Sequence, residues 1–236
     1  MTSPINPVDI IIRVQTFFRD NIVRSHIEGG LLRASKLSEY NLHPFLYKYL
    51  ANFLEGNNDP RSIAKILLYP RALGTSITTI FGMHAQKMIP AIFSGMGSAV
   101  HGIDIEFIDA VDNRKKYCQL KSGPNTINSP DVITVKNHFR DIKRLARTND
   151  LDVGDSDLIV GVLYGVPDDL SSHYLKIAED YPVVVGAEFW HHLTGRERFY
   201  YELIDAIGEV ALEVDAKEQV EAAIDRLAAE IESAGL

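Results

Sequence analysis

Two short stretches carry side chains suited to work on an anionic substrate. The first is Gly102-Ile-Asp104-Ile-Glu106-Phe107, and the second is Tyr117-Cys-Gln119-Leu-Lys121-Ser-Gly123. Hydrolysis of a phosphodiester must stabilise extra negative charge on phosphorus. A hard divalent cation such as Mg2+ does this best from oxygen ligands. Asp104 offers a carboxylate and Gln119 a neutral carbonyl oxygen. Lys121 offers an ammonium that can orient an attacking water and offset developing charge. These residue types form a catalytic set only if two neighbouring strands bring them together.

Both stretches read as strands. Ile103 to Val111 and Lys116 to Lys121 alternate apolar and polar residues, with Asp112-Asn113 as the turn between them. Alternation assigns Asp104 and Glu106 to one face, and Gln119 and Lys121 to one face of the next strand. Paired, they leave an apolar face for the core and a polar face holding Asp104, Gln119, Lys121 and Glu106. Cys118 falls on the core side, which excludes it as a nucleophile. An ordinary hairpin with a solvated polar face has the same pattern, so the strands alone leave both readings open.

The flanking segments favour nucleic acid. Lys136, Arg140, Lys143, Arg144 and Arg147 fall at i, i+4, i+7, i+8 and i+11 of an amphipathic helix, Val132 to Arg147. They form one basic stripe, which can run along a phosphate backbone. The intervening loop from Ser122 to Asp131 carries Asn125, Thr126 and Asn128. Such amides can read base edges, and they are equally at home in turns. His138 lies beside the stripe. The adjacent His191 and His192 point about 100° apart on a helix and make a poor chelating pair. Trp190 reads as packing.

The remaining elements frame this centre. Helices are expected over Val8 to Arg24, His43 to Leu54, Pro60 to Pro70 and Thr75 to Ile92, with Pro70 ending the third and Thr75 or Ser76 capping the fourth. Leu158 to Tyr164 and Val183 to Val185 suit buried strands. Helix returns from Phe189, and Lys217 to Ile231 is a last amphipathic helix. The fold class is therefore mixed α/β (α+β). It comprises a helical region over residues 1–98 packed on the core, a core over 99–195 and a helical region over 196–236.

Net charge is −8 over 236 residues. From Glu202 to Leu236 ten acids face two bases, so that segment holds the whole excess and the rest is neutral. A local basic face therefore remains compatible with the acidic total. One cysteine excludes an internal disulfide and a cysteine-based zinc cluster. The absence of a long apolar run or a leader-like start points to the cytoplasm.

Together these residues resemble the PD-(D/E)xK nuclease core. More narrowly, they resemble type II restriction endonucleases that cut GGNCC-type sites. Tyr117-Cys-Gln-Leu-Lys-Ser-Gly-Pro-Asn-Thr-Ile-Asn128 carries most of the likeness. Leu73-Gly-Thr-Ser-Ile-Thr-Thr-Ile-Phe-Gly82 and Gly186-Ala-Glu-Phe-Trp-His-His-Leu-Thr-Gly195 are similar to flanking segments of the same group.

The resemblance implies a restriction-endonuclease-like mixed sheet flanked by helices, with Asp104 as metal-binding acid and Lys121 as catalytic lysine. Gln119 departs from the usual acid, and Glu106 or the helical Gln86 could assist the metal. Ser122, Asn125, Asn128, Lys136, Arg140, Lys143 and Arg144 become the candidate DNA contacts. It further implies Mg2+, double-stranded DNA as substrate, a homodimer on a palindromic site, and a cognate DNA methyltransferase. A repair or recombination nuclease of the same fold, a non-catalytic DNA-binding module and a helical interaction protein are the rival readings.

Overall fold

The computed structural model describes residues 7–93, 95–214 and 216–236. Two compact units divide the chain. One comprises residues 85–207 with the first segment through Val14; the other comprises Gln15–His84 and Gly208–Leu236. These boundaries differ from the three consecutive segments expected. The second unit joins two segments far apart in sequence, Gln15–His84 and Gly208–Leu236, while 85–98 and 196–207 belong with the sheet. No helix among the described residues is long and apolar enough to cross a membrane.

The helical elements begin with α1 (Pro7–Phe17), followed by wide π-helical turns at Phe18–Val23 and His26–Leu31 and by the short α2 (Leu32–Ala34). Next come α3 (Tyr47–Glu55) and α4 (Pro60–Pro70). Asp59 caps α4 by accepting from Ser62 N–H, and Pro60 occupies the first turn, where its missing N–H costs nothing. Pro70 does not end the helical path. Arg71–Ser76 continues it as a π-helical turn into α5 (Ile77–Ile92), so neither Thr75 nor Ser76 acts as a cap. A widened turn accommodates the donor that proline lacks.

In the second unit α10 (Lys217–Ser233) packs on α4, with Ile63, Leu68, Ile224, Leu227 and Ile231 in its core. Part of the C-terminal acidic excess is neutralised here. Arg61 bridges Glu221 and Asp225, and Glu230 accepts from Leu37 N–H.

The first unit is built on a four-stranded sheet, β1 (Ile105–Ile108), β2 (Lys115–Lys121), β3 (Leu158–Val162) and β4 (Val183–Val185), in that spatial order. β1 runs antiparallel to β2, with Ile105 opposite Cys118. β2 and β3 are parallel, Gln119 opposite Val160 and Lys121 opposite Val162, and β3 and β4 are parallel too. Parallel neighbours need crossovers. These are α6 (Ser129–Thr148) and α7 (Ser172–Ala178); the latter was not expected from sequence.

Both sheet faces are covered, whereas one was expected to be polar and open. Val135, Phe139, Ile142, Tyr174 and Ile177 pack with Tyr117, Val160 and Val162 on one face. On the other, Phe189 of α8 (Ala187–Thr194) lies so close over Gly161 that a Cβ there would sit 2.4 Å from its ring. Helical crossovers of a parallel sheet leave it no solvated face, and the five buried residues of β3 reflect this. The helix α9 (Phe199–Glu213) completes the element order.

Candidate active site

β1 is shorter than expected, and this shapes the site. It starts at Ile105, so the end of β2 from Gln119 to Lys121 extends past it. The Leu120 N–H therefore has no partner in β1. Asp104 lies at a bend just before the strand, and its Oδ2 accepts from Leu120 N–H at 2.7 Å. Its own N–H donates to the Cys118 carbonyl at 3.1 Å. The carboxylate thus caps the uncovered end of β2. Simple strand alternation would instead have set it beside Glu106 on a sheet face.

Burial pushes the Asp104 carboxyl above the usual carboxylate range. The Leu120 hydrogen bond and the nearby Lys121 and His138 oppose that shift without cancelling it. A carboxylate so placed gains from any further positive charge brought to it. Lys121 is half-buried at the end of β2 and forms no ion pair among the described residues.

Gln119 is 5% exposed. Its Nε2 bonds to Nδ1 of His138 on α6 at 2.9 Å, which leaves the amide oxygen to accept elsewhere. His138 is itself held. Its ring meets His101 edge-on at 5.3 Å, and Gly102, at φ +78°, has no Cβ to strike it. A Cβ at Gly102 would lie 2.3 Å from His138 Nδ1, so glycine is required here for both conformation and space.

From α5, Gln86 Nε2 donates to the Leu120 carbonyl at 3.3 Å. Both polar backbone groups of Leu120 are thereby tied to side chains of the cluster. His138 and the Leu120 backbone were not singled out for this centre from sequence. From sequence the histidine is a candidate phosphate contact beside the basic stripe, not a partner of Gln119.

Glu106 has both carboxylate oxygens engaged, one accepting from Ser98 Oγ at 2.6 Å and the other paired with Lys115 at 2.6 Å. Those partners hold its carboxyl below the ordinary range against the effect of burial.

The expected DNA contacts divide similarly. Asn128 caps α6: its Oδ1 accepts from Asp131 N–H, and Asp131 accepts from Asn128 N–H. Ser122 is half-buried and Asn125 exposed, on a loop anchored by Tyr174, whose hydroxyl donates to the Gly123 carbonyl at 2.9 Å. On α6, Lys136 pairs with Asp180 and Lys143 with Asp155, while Arg144 approaches Asp141 at 3.6 Å. Arg140 and Arg147 are exposed with no ion pair among the described residues. The basic stripe is therefore half neutralised from within.

Other side chains have structural partners. Trp190 is buried and donates its Nε1–H to the Leu163 carbonyl, and His192 Nδ1 meets Asp109 at 2.7 Å. Cys118 is fully buried, which pushes its thiol far up.

No cluster of three or more His, Cys, Asp or Glu side chains suited to a metal occurs among the described residues. The donor set at the end of β2 nonetheless fits a hard cation: a carboxylate raised by burial, a side-chain amide oxygen and a backbone carbonyl. It holds fewer charges than an all-carboxylate site, so waters or a substrate phosphate would have to supply the remaining ligands.

Residues 43–215 match the family model described as type II restriction endonuclease EcoO109I. No curated protein matches the chain.

Proposed function

The chain belongs to the type II restriction endonuclease EcoO109I family and is thus a site-specific deoxyribonuclease, and from that premise we propose that it cuts duplex DNA at a short palindromic site of GGNCC type with Mg2+. The catalytic residues are Asp104, Gln119 and Lys121. The observation that carries this assignment is the convergence of Asp104, the Leu120 backbone and Gln119 beside Lys121 at the uncovered end of β2.

Asp104, the Gln119 amide oxygen and the Leu120 carbonyl would hold the cation. When bound, it polarises the scissile phosphate and lowers the pKa of water. Lys121 orients the attacking water by hydrogen bonding and offsets charge on the phosphate as phosphorus gains a fifth oxygen. His138 fixes the Gln119 amide so that its oxygen, not its NH2, is presented to the site. Glu106, bonded to Ser98 and Lys115, steadies the start of β1. Ser122 and Asn125 lie in reach of DNA on the loop after Lys121. Arg140 and Arg147 supply phosphate contacts directly, whereas Lys136, Lys143 and Arg144 must exchange their acidic partners for phosphate. Cleavage leaves a 5′-phosphate and a 3′-hydroxyl.

A palindrome calls for two copies of the chain related by a two-fold axis. The enzyme works in the cytoplasm beside a methyltransferase that protects host sites. Digestion of phage DNA tests the reading. Discrete fragments are expected with Mg2+ and none with EDTA, and a smear or no cutting would overturn it.

A further inference from the structure

Helix α3 turns its apolar side outward. Ala51 is buried, and Tyr47 and Glu55 are half-buried at the same four-residue spacing, so one narrow stripe faces the unit. Phe45, Leu46, Tyr49, Leu50, Phe53 and Leu54 are exposed, Phe45 at 85% and Phe53 at 76%. Their spacing makes one continuous band along the helix and its lead-in. The Tyr49 and Phe53 rings stack at 5.9 Å within it. From Phe45 to Leu54 the only charged residue is Lys48.

A single exposed leucine needs no explanation, but six large apolar side chains in one band do. Their exposed surface amounts to about 700 Å² at typical aromatic and leucine areas, above the ~300–600 Å² of the largest patch on an ordinary monomer. It approaches the ~800 Å² that each partner contributes to a stable interface. Abundant aromatics and scarce charge also match the centre of such an interface. One lysine is too little for a phosphate backbone.

A band along one helix is self-complementary, because two antiparallel copies can lay the same residues against each other across a two-fold axis. We propose that this face of α3 is the contact through which two copies of the chain pair. The place of that pair in function rests on the palindrome-cutting reading above; the contact itself does not.

Sedimentation of the full chain tests it. The wild type should run at twice the 26.4 kDa chain mass. The double substitution Tyr49→Glu with Phe53→Glu should run as a monomer with unchanged circular dichroism, its dissociation constant raised more than about a hundredfold. Single cysteines at Leu46, Tyr49, Leu50 or Phe53 give a second measurement. The native Cys118 is buried, so mild oxidation should link copies through α3 far faster than through a cysteine at exposed Leu212. A monomeric wild type overturns the proposal, whether or not it binds lipid vesicles. So does a folded double variant that stays dimeric, or cross-linking no faster than the Leu212 control. A dimer that cuts no DNA would leave the α3 contact standing and sink the nuclease reading. Cutting by a chain that sediments as a monomer would do the reverse.

Discussion

Lys116 and Lys121 stand five residues apart on β2 and have opposite surroundings. Lys116 is 4% exposed among three carboxylates, Asp112 at 2.5 Å, Asp157 at 3.5 Å and Asp109 at 3.9 Å, and donates to the Ser156 carbonyl. Arg114 grips Asp157 through two nitrogens, and His192 meets Asp109. At the other end Lys121 has no ion pair among the described residues, and Asp104 lies within electrostatic reach of both Lys121 and His138. The carboxylates report the same difference: Asp157 is held down to about 2, mainly by its hydrogen bonds from Arg114, while burial raises Asp104. Charge at the closed end is balanced internally, as a structural network requires. At the open end one carboxylate and one ammonium lie within reach of each other without forming an ion pair, which leaves both able to meet a ligand.

Exchanging the tests between the two ends separates these roles. Lys121→Ala should lower cleavage by at least about a thousandfold, with the melting temperature unchanged and DNA binding retained. A variant cutting at the wild-type rate would remove Lys121 from the active site. Lys116→Ala should do the converse. It strands buried carboxylates and should destabilise the fold by about 3–5 kcal/mol in denaturant titrations, while the folded fraction keeps its activity.

Asp157→Asn tests the network by pH and should cost about 1–3 kcal/mol at neutral pH. The Asp157 carboxyl lies near 2 when folded and at about 3.9 when unfolded, so its contribution is full above about pH 4 and fades as pH falls toward 2. The variant should lose that part of the acid dependence, and unfolding curves that keep the wild-type slope below pH 4 would refute the assignment.

Gln119→Glu sharpens the other end, since it restores a negative charge beside Asp104. The Mg2+ concentration for half-maximal cleavage should fall several-fold, and the affinity for Mn2+, measured without DNA, should rise. No change in either would place Gln119 outside the metal's reach. The smallest effects belong to the unpaired α6 cations. Arg140→Ala or Arg147→Ala should each reduce the salt slope of DNA binding by about one, whereas Lys143→Ala, whose charge Asp155 already meets, should change it less.

Much of this was legible in the residues. Val183 to Val185 is an apolar run bounded by Pro182 and Gly186, and β4 occupies those three positions. The α6 periodicity set its buried stripe, since Val135, Phe139, Ile142 and Ala146 are all inside. Alternation along Lys116 to Lys121 put Cys118 in the core. The short α7 was missed because it offers under two turns of pattern. The run through Pro70 was missed because proline's local preference is overridden where Leu68 and Ala72, on either side of it, are both buried in the helical core.

Local period and residue chemistry thus determined which segments become strand or helix and which side chains could act on a phosphate. These properties depend on neighbours three or four residues away. Three outcomes depended on residues far apart in the chain. The late start of β1 gave Asp104 the Leu120 amide, His138 reached Gln119 across nineteen positions, and Lys116 rather than Lys121 was enclosed by acids. Each turns on which backbone group or charge lacks a nearer partner once the sheet has formed. Amphipathic pattern likewise showed that α3 has an apolar side, and only the folded chain decided that this side faces outward.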